Sequence, residues 1–167
     1  MSASKDQVYT GGPPLTTAAI PAEMKSYPSW VVWKLEERDG KPTKVPFVPG
    51  EDRRASTTDL RTWRTFIEAI EAVDAHQDGG FDGIGFVFSS GDPFTGIDLD
   101  GCRDPGSGEI EGWAEKIIDH AGGYAEVSPS GRGVHIIVRG KAPNSKRGRV
   151  ECYSERRFFT VTGAVIR

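Results

Sequence analysis

Phe94-Thr95-Gly96-Ile97-Asp98-Leu99-Asp100 is the stretch on which the chain turns. Its β-branched and aromatic content reads as a strand. Side chains two apart on a strand share a face, so Asp98 and Asp100 project together and Leu99 points the other way. Two carboxylates held that close repel, and burial makes each ion costlier. A hard cation such as Mg²⁺ or Mn²⁺ between them removes the conflict. A solvated strand end is the competing reading, because D-x-D is a short motif with a high false-positive rate.

Working backward, Phe81 to Phe88 is a Gly-punctuated strand, and Asp92-Pro93 turns it into the acidic one, so the two are expected to pair as an antiparallel hairpin. Asp78-Gly79-Gly80 ends a preceding helix. That helix is read from Ala55 to Val73, with Ser56, Thr58 or Asp59 as its cap and Trp63, Phe66, Ile67, Ile70 and Val73 as a buried stripe. Trp30 to Leu35 is a strand, Asp39-Gly40 a hairpin turn, and Lys44 to Val48 an edge strand, since Pro42 and Pro46 cannot donate to a central ladder. Lys34 and Lys44 lie on these paired strands as candidates for one cleft, with two surface lysines as the plainer reading of each taken singly. Residues 1–27, with Gly11-Gly12-Pro13-Pro14 and Pro21, read as a flexible arm.

Working forward, Glu109 to His120 reads as a helix with Ile110, Trp113, Ile117 and Ile118 inward, stopped by Gly122-Gly123. After the short strand Tyr124 to Val127 comes Ser128-Pro129-Ser130-Gly131-Arg132-Gly133-Val134-His135. Gly131 and Gly133 let a backbone approach a ligand, with amides free to cradle phosphate. Ser130 adds a hydroxyl and Arg132 a bidentate fork. His135 is either a satisfied packing residue or part of the same anion site. No G-K-[ST] is present, so this is not a Walker loop. Arg147 to Tyr153 is read as one strand with Glu151 on the face opposite Val150 and Cys152, and Arg157 to Gly163 as the strand that closes the sheet.

Composition bounds the rest. The 167 residues suffice for one domain with a core. No apolar run reaches the roughly 20 residues of a membrane span, and the N-terminus lacks signal-peptide order, so a cytoplasmic protein without a membrane partner is expected. Cys102 and Cys152 are too few for a zinc knuckle and are read as free thiols. The net charge of −3 divides unevenly: residues 131–167 hold nine Lys or Arg against Glu151 and Glu155, a net +7, which leaves −10 for the first 130. A basic segment beside an acidic pair suits a polyanion brought to a metal; a merely solvated basic face is the alternative.

Ile97-Asp98-Leu99-Asp100, then Ser130-Gly131-Arg132-Gly133-Val134-His135, then Glu151, then Arg157-Phe158-Phe159-Thr160-Val161-Thr162-Gly163, in that order, resemble the archaeo-eukaryotic primase superfamily, closest to the bifunctional primase-polymerase (PrimPol) domains of phages and plasmids. The resemblance covers about residues 28–163. It implies an α+β primase-polymerase fold, in which an RRM-like sheet (81–167) carries the acidic site and 28–80 forms an N-terminal β–α module, with the cleft between them. It implies Asp98, Asp100 and Glu151 as metal ligands for two Mg²⁺ or Mn²⁺ ions. It implies Ser130, Gly131, Arg132, Gly133, His135 and Arg157 as nucleotide-binding, with Lys34, Lys44 and Thr160 as further candidates. The implied function is template-directed nucleotidyl transfer from dNTP or NTP on single-stranded or primed DNA, in the replication of a phage, plasmid or other mobile element, beside a helicase or helical primase domain. A non-catalytic replication-initiation module that binds nucleic acid and a metal-dependent nuclease are the rival functions.

Overall fold

The computed structural model describes residues 13–75 and 80–166. The Asp78-Gly79 part of the expected helix stop, and residues 1–12 of the expected arm, lie outside these. Among the described residues, nine strands form two antiparallel sheets. In chain order they are β1 (Trp30–Arg38), β2 (Lys41–Phe47), β3 (Gly83–Phe88), β4 (Phe94–Leu99), β5 (Tyr124–Val127), β6 (Val134–Arg139), β7 (Ser145–Arg147), β8 (Val150–Tyr153) and β9 (Arg157–Val161). The helices are α1 (Ala22–Lys25), α2 (Phe66–Asp74) and α3 (Gly112–Ala121). The first sheet has the order β2-β1-β3-β9 and the second β5-β6-β4-β8-β7.

The Asp39-Gly40 turn forms as its residues dictate, both at positive φ (51° and 73°), which is what a two-residue hairpin matching strand twist requires. The proline-bearing β2 takes the sheet edge. In the second sheet, β4, β5, β6 and β8 adopt the RRM-like order, with α3 packed on one face through Ala114 and Ile118 against Leu99, Ile136 and Ala125. Where an RRM has its second helix, this chain has the short strand β7: the stretch expected as one strand from Arg147 to Tyr153 is a β7–β8 hairpin turned at Gly148.

β3 and β4 do not pair. They lie in different sheets, and β9, expected to close the acidic sheet, pairs with β3. The reason is aromatic packing. All six residues of β3 are buried, and Phe86 and Phe88 meet Phe94 and Phe159 edge-to-face at 5.9 and 5.1 Å, so the turn after β3 carries the chain across the core rather than back along the same ladder. The core also claims part of the expected arm: Ile20 and Met24 are buried in it, and the Thr16 N–H donates to the Thr162 carbonyl.

The expected 55–73 helix is two pieces. A single 3₁₀ turn, Leu60–Thr62, is capped by Asp59, and α2 starts afresh at Thr65, whose hydroxyl accepts from the Glu68 N–H while the Glu68 carboxylate accepts from the Thr65 N–H. Trp63 lies between the pieces, its indole N–H donating to the Ser56 carbonyl. Ile67, read as inward, is 66% exposed, because α2 presents Ala69 and Ala72 to the first sheet. Removing the capping hydroxyl by Thr65→Ala is expected to cost about 1 kcal/mol, read from the midpoint of urea unfolding.

Candidate active site

The second sheet aligns its chemistry in one row. Glu126 on β5 stands opposite His135 on β6, His135 opposite Asp98 on β4, Asp98 opposite Glu151 on β8, and Glu151 opposite Lys146 on β7. Directly paired residues share a face, so the two-residue period that buries Leu99 and Ile136 under α3 brings Asp98, His135 and Glu151 together on the other face. Asp100 lies one residue past β4, exposed.

That face fronts the first sheet across a cleft of about 220 Å³ lined by Lys44, Asp98, His135, Glu151, Tyr153, Arg157, Phe158, Phe159 and Thr160. Lys44 reaches it from β2; Lys34 does not. Lys34 pairs in register with Val45 and Lys44 with Leu35, so the two lysines project from opposite faces. Lys34 instead lies over the rings of Phe47 and Phe81 and pairs with Asp52 at 3.4 Å.

Charge in the cleft is finely balanced. Burial holds the Asp98 carboxyl above its usual range, with His135 and Lys44 opposing and Asp100 and Glu151 adding to the rise. Burial pushes the Lys44 ammonium down, against the pull of Asp98 and Asp100. Glu151 is held below the carboxylate range by hydrogen bonds from Lys146 (2.7 Å) and the Tyr153 hydroxyl (2.7 Å). His135 Nε2 lies 3.6 Å from Asp98 Oδ1, and its Nδ1 is 2.9 Å from the Thr160 carbonyl. Although His135 is buried, both of its nitrogens face polar atoms.

Among the described residues no three His, Cys, Asp or Glu side chains are arranged to hold a metal ion. Glu151 is turned to Lys146 and Tyr153. The donor chemistry nonetheless suits a hard cation: Asp98 carries a burial penalty and two like-charged neighbours, which a divalent ion relieves. A second observation points to a ligand in the cleft. Thr160 Oγ1 is buried and has no hydrogen-bond partner, and a buried hydroxyl left unmatched is costly.

The 128–133 loop leads into the start of β6, against the residues that follow β4. The Arg103 N–H donates to the Arg132 carbonyl, and its guanidinium to that of Gly131. A Cβ on Gly133 would stand 2.8 Å from the Leu99 carbonyl oxygen, so the close approach requires glycine. The amides expected to cradle phosphate are turned inward: Gly131 donates to the Ser128 carbonyl, Arg132 to Ser130 Oγ and Gly133 to Ser128 Oγ. What the loop offers outward is the exposed Arg132 side chain. Arg157, at the start of β9, lies over the Tyr153 ring at 5.0 Å on the cleft rim. Cys102 is not in the site; it is buried beneath α3, its thiol pushed up by burial and directed at the Leu99 carbonyl.

Two residues escaped the sequence reading. Arg149, expected only as a basic neighbour on the Glu151 face of its strand, clamps the turn after β4 by donating to the carbonyls of Asp100 and Gly101 and to Glu111. Glu126 is a fully buried carboxylate behind His135. Its one sequence signal was an acid within the short apolar strand Tyr124 to Val127.

No family model matches the chain. It is, however, 36% identical over 156 residues to the DNA primase-polymerase of Nitratiruptor phage NrS-1, a match covering 87% of this chain. The match supports a phage-type primase-polymerase domain. The domain spans 21% of the length of that curated relative. Its two antiparallel sheets with few helices agree with an α+β primase-polymerase fold. No helix among the described residues is long and apolar enough to cross a membrane.

Proposed function

We propose that this domain performs template-directed nucleotidyl transfer from dNTP or NTP on single-stranded or primed DNA, in phage or mobile-element replication. The observation that carries the reading is the cross-strand row His135–Asp98–Glu151 facing Lys44, Arg157 and the unsatisfied Thr160 hydroxyl across one cleft. The reaction joins a 3′-hydroxyl oxygen to the α-phosphorus and releases pyrophosphate, so negative charge builds on the leaving phosphates. Asp98, Asp100 and Glu151 are the residues that would hold Mg²⁺ or Mn²⁺, whose contribution is neutralisation of that charge. Glu151 would exchange Lys146 for the ion.

His135, Arg157 and Arg132 are assigned to the triphosphate, with Ser130, Gly131 and Gly133 shaping the loop that holds Arg132. Lys44 and the Thr160 hydroxyl supply a cation and a hydrogen bond from the opposite wall. The exposed basic residues Lys146 and Arg147 on the edge strand β7 are placed to meet a DNA backbone entering beside Glu151. A helicase or helical primase domain would act alongside.

Primer extension on a primed template with Mg²⁺ or Mn²⁺ tests this directly. The domain is expected to incorporate nucleotides, and calorimetry with Mn²⁺ present is expected to show dNTP binding. His135→Ala should raise KM for dNTP about tenfold with a smaller change in kcat. A wild-type domain that neither extends a primer nor binds dNTP would sink the proposal.

A further inference from the structure

Glu126 is 1% exposed and forms the end of the functional row, opposite His135. An unpaired carboxylate at such a place would be prohibitively costly. Both of its oxygens are engaged: Oε1 accepts from the Thr162 N–H at 3.0 Å, and Oε2 from the Gly163 N–H at 2.9 Å and the Tyr124 hydroxyl at 2.7 Å. The two amides lie just beyond β9, in the first sheet, whereas Glu126 is on β5, in the second. Glu126 thus helps to bolt the two walls of the cleft together, beside the Thr162 hydroxyl donating to the Val127 carbonyl at 2.6 Å and the backbone bonds from the Val127 N–H to the Ala164 carbonyl and from the Ile166 N–H to the Ala125 carbonyl.

Two residues before that bolt, the Thr160 carbonyl meets His135 Nδ1 at 2.9 Å. A carbonyl only accepts, so Nδ1 carries a proton, and Nε2 is the nitrogen turned to Asp98 and the cleft. Glu126 Oε1 stands 3.5 Å from the same Nδ1, and the Phe159 ring lies against the imidazole at 4.9 Å between centroids. The Thr160 carbonyl, the Glu126 carboxylate and the Phe159 ring thus back the imidazole.

We propose that Glu126 is a positioning residue for His135: by fixing the end of β9 it sets where the Thr160 carbonyl stands, and so keeps Nδ1–H turned inward and Nε2 turned to the cleft, where Nε2 meets a phosphate oxygen only as a second N–H donor. The phosphate part rests on the nucleotidyl-transfer reading; the positioning part is a statement about the ring and is testable without turnover. The logic matches that by which a second partner fixes the orientation of a ligating or catalytic histidine.

The decisive measurement is a long-range ¹H–¹⁵N spectrum of the imidazole nitrogens. Wild-type His135 is expected to carry a proton on Nδ1; a wild-type spectrum with Nδ1 unprotonated overturns the proposal whatever any variant does. In Glu126→Gln an amide NH₂ faces a backbone N–H, donor against donor. That variant is expected to keep a folded backbone-amide spectrum, to lose the Nδ1 proton signal, and to bind Mn²⁺·dNTP about tenfold more weakly. A folded Glu126→Gln that keeps both the signal and the affinity overturns the proposal. Should Glu126→Gln fail to fold, Tyr124→Phe removes one tether and leaves the charge; a weakening of about threefold with a broadened Nδ1 proton signal is expected, and an unchanged signal and affinity count against the idea. If the wild-type domain binds no nucleotide at all, the function reading fails while the imidazole spectrum still decides the role of Glu126.

Discussion

Asp98→Asn is expected to abolish nucleotide incorporation, by about a thousandfold or more, while making the domain harder to melt. The two effects have one cause. Burial and the neighbouring Asp100 and Glu151 hold the Asp98 carboxyl above its usual range. A carboxyl whose folded value is raised is ionised more readily in the unfolded chain. Its ionisation therefore takes stability away as pH rises through the unfolded value, and the loss is complete above the folded one. Asparagine removes that penalty. With chelator present, Tm of Asp98→Asn should exceed wild type at pH 8, and the gap should shrink toward pH 4 as the wild-type carboxyl takes up its proton. Primer extension supplies the other half of the test. Incorporation at the wild-type rate would remove Asp98 from the chemistry, and a lowered Tm would mean that the side chain is structural instead. A residue maintained at a cost to the fold is what a functional site looks like.

Gly96→Val should cost about 3 kcal/mol or more. Gly96 sits in the middle of the acidic strand, and a Cβ there would stand 2.5 Å from Phe159 Cε2 and 2.7 Å from Phe88 Cζ. Phe88 is wholly buried and Phe159 nearly so, so neither ring has room to move aside without disturbing the contact between the sheets. The consequence reaches the site, because Phe159 also packs on His135. Urea unfolding measures the loss, and a domain still folded at low temperature should show a raised KM for dNTP. An unchanged unfolding midpoint would show that the rings do not close over Gly96 as described.

The local rules were legible where the physics is local. Asp39-Gly40 turns β1 into β2 because both residues tolerate positive φ. Gly122 ends α3 in the left-handed conformation. The alternation around Asp98 and around Glu151 placed each acid on the correct face of its strand. The reading failed where two elements compete for one neighbour. Apolar spacing alone made Ile67 inward, yet α2 turns Ala69 and Ala72 to the sheet, because small residues let the helix approach closely. Lys34 and Lys44 looked like partners until the β1–β2 register set them on opposite faces.

What the sequence by itself determined is the inventory: most of the strands, their inward and outward faces, and the order in which D-x-D, the Ser130 to His135 stretch, Glu151 and Arg157 occur. What only the tertiary structure decided is the company each residue keeps. β3 and β9 join β1 in one sheet while β4 pairs with β6 and β8 in the other, and this division opens a cleft with acids on one wall and Lys44, Thr160 and Arg157 on the other. It also seats Glu126 behind His135. The physical reason is that strand pairing across long stretches of chain is chosen by the fit of the side chains buried between the sheets, here the rings of Phe86, Phe88, Phe94 and Phe159, and that fit is a property of the packed whole which no window of sequence contains.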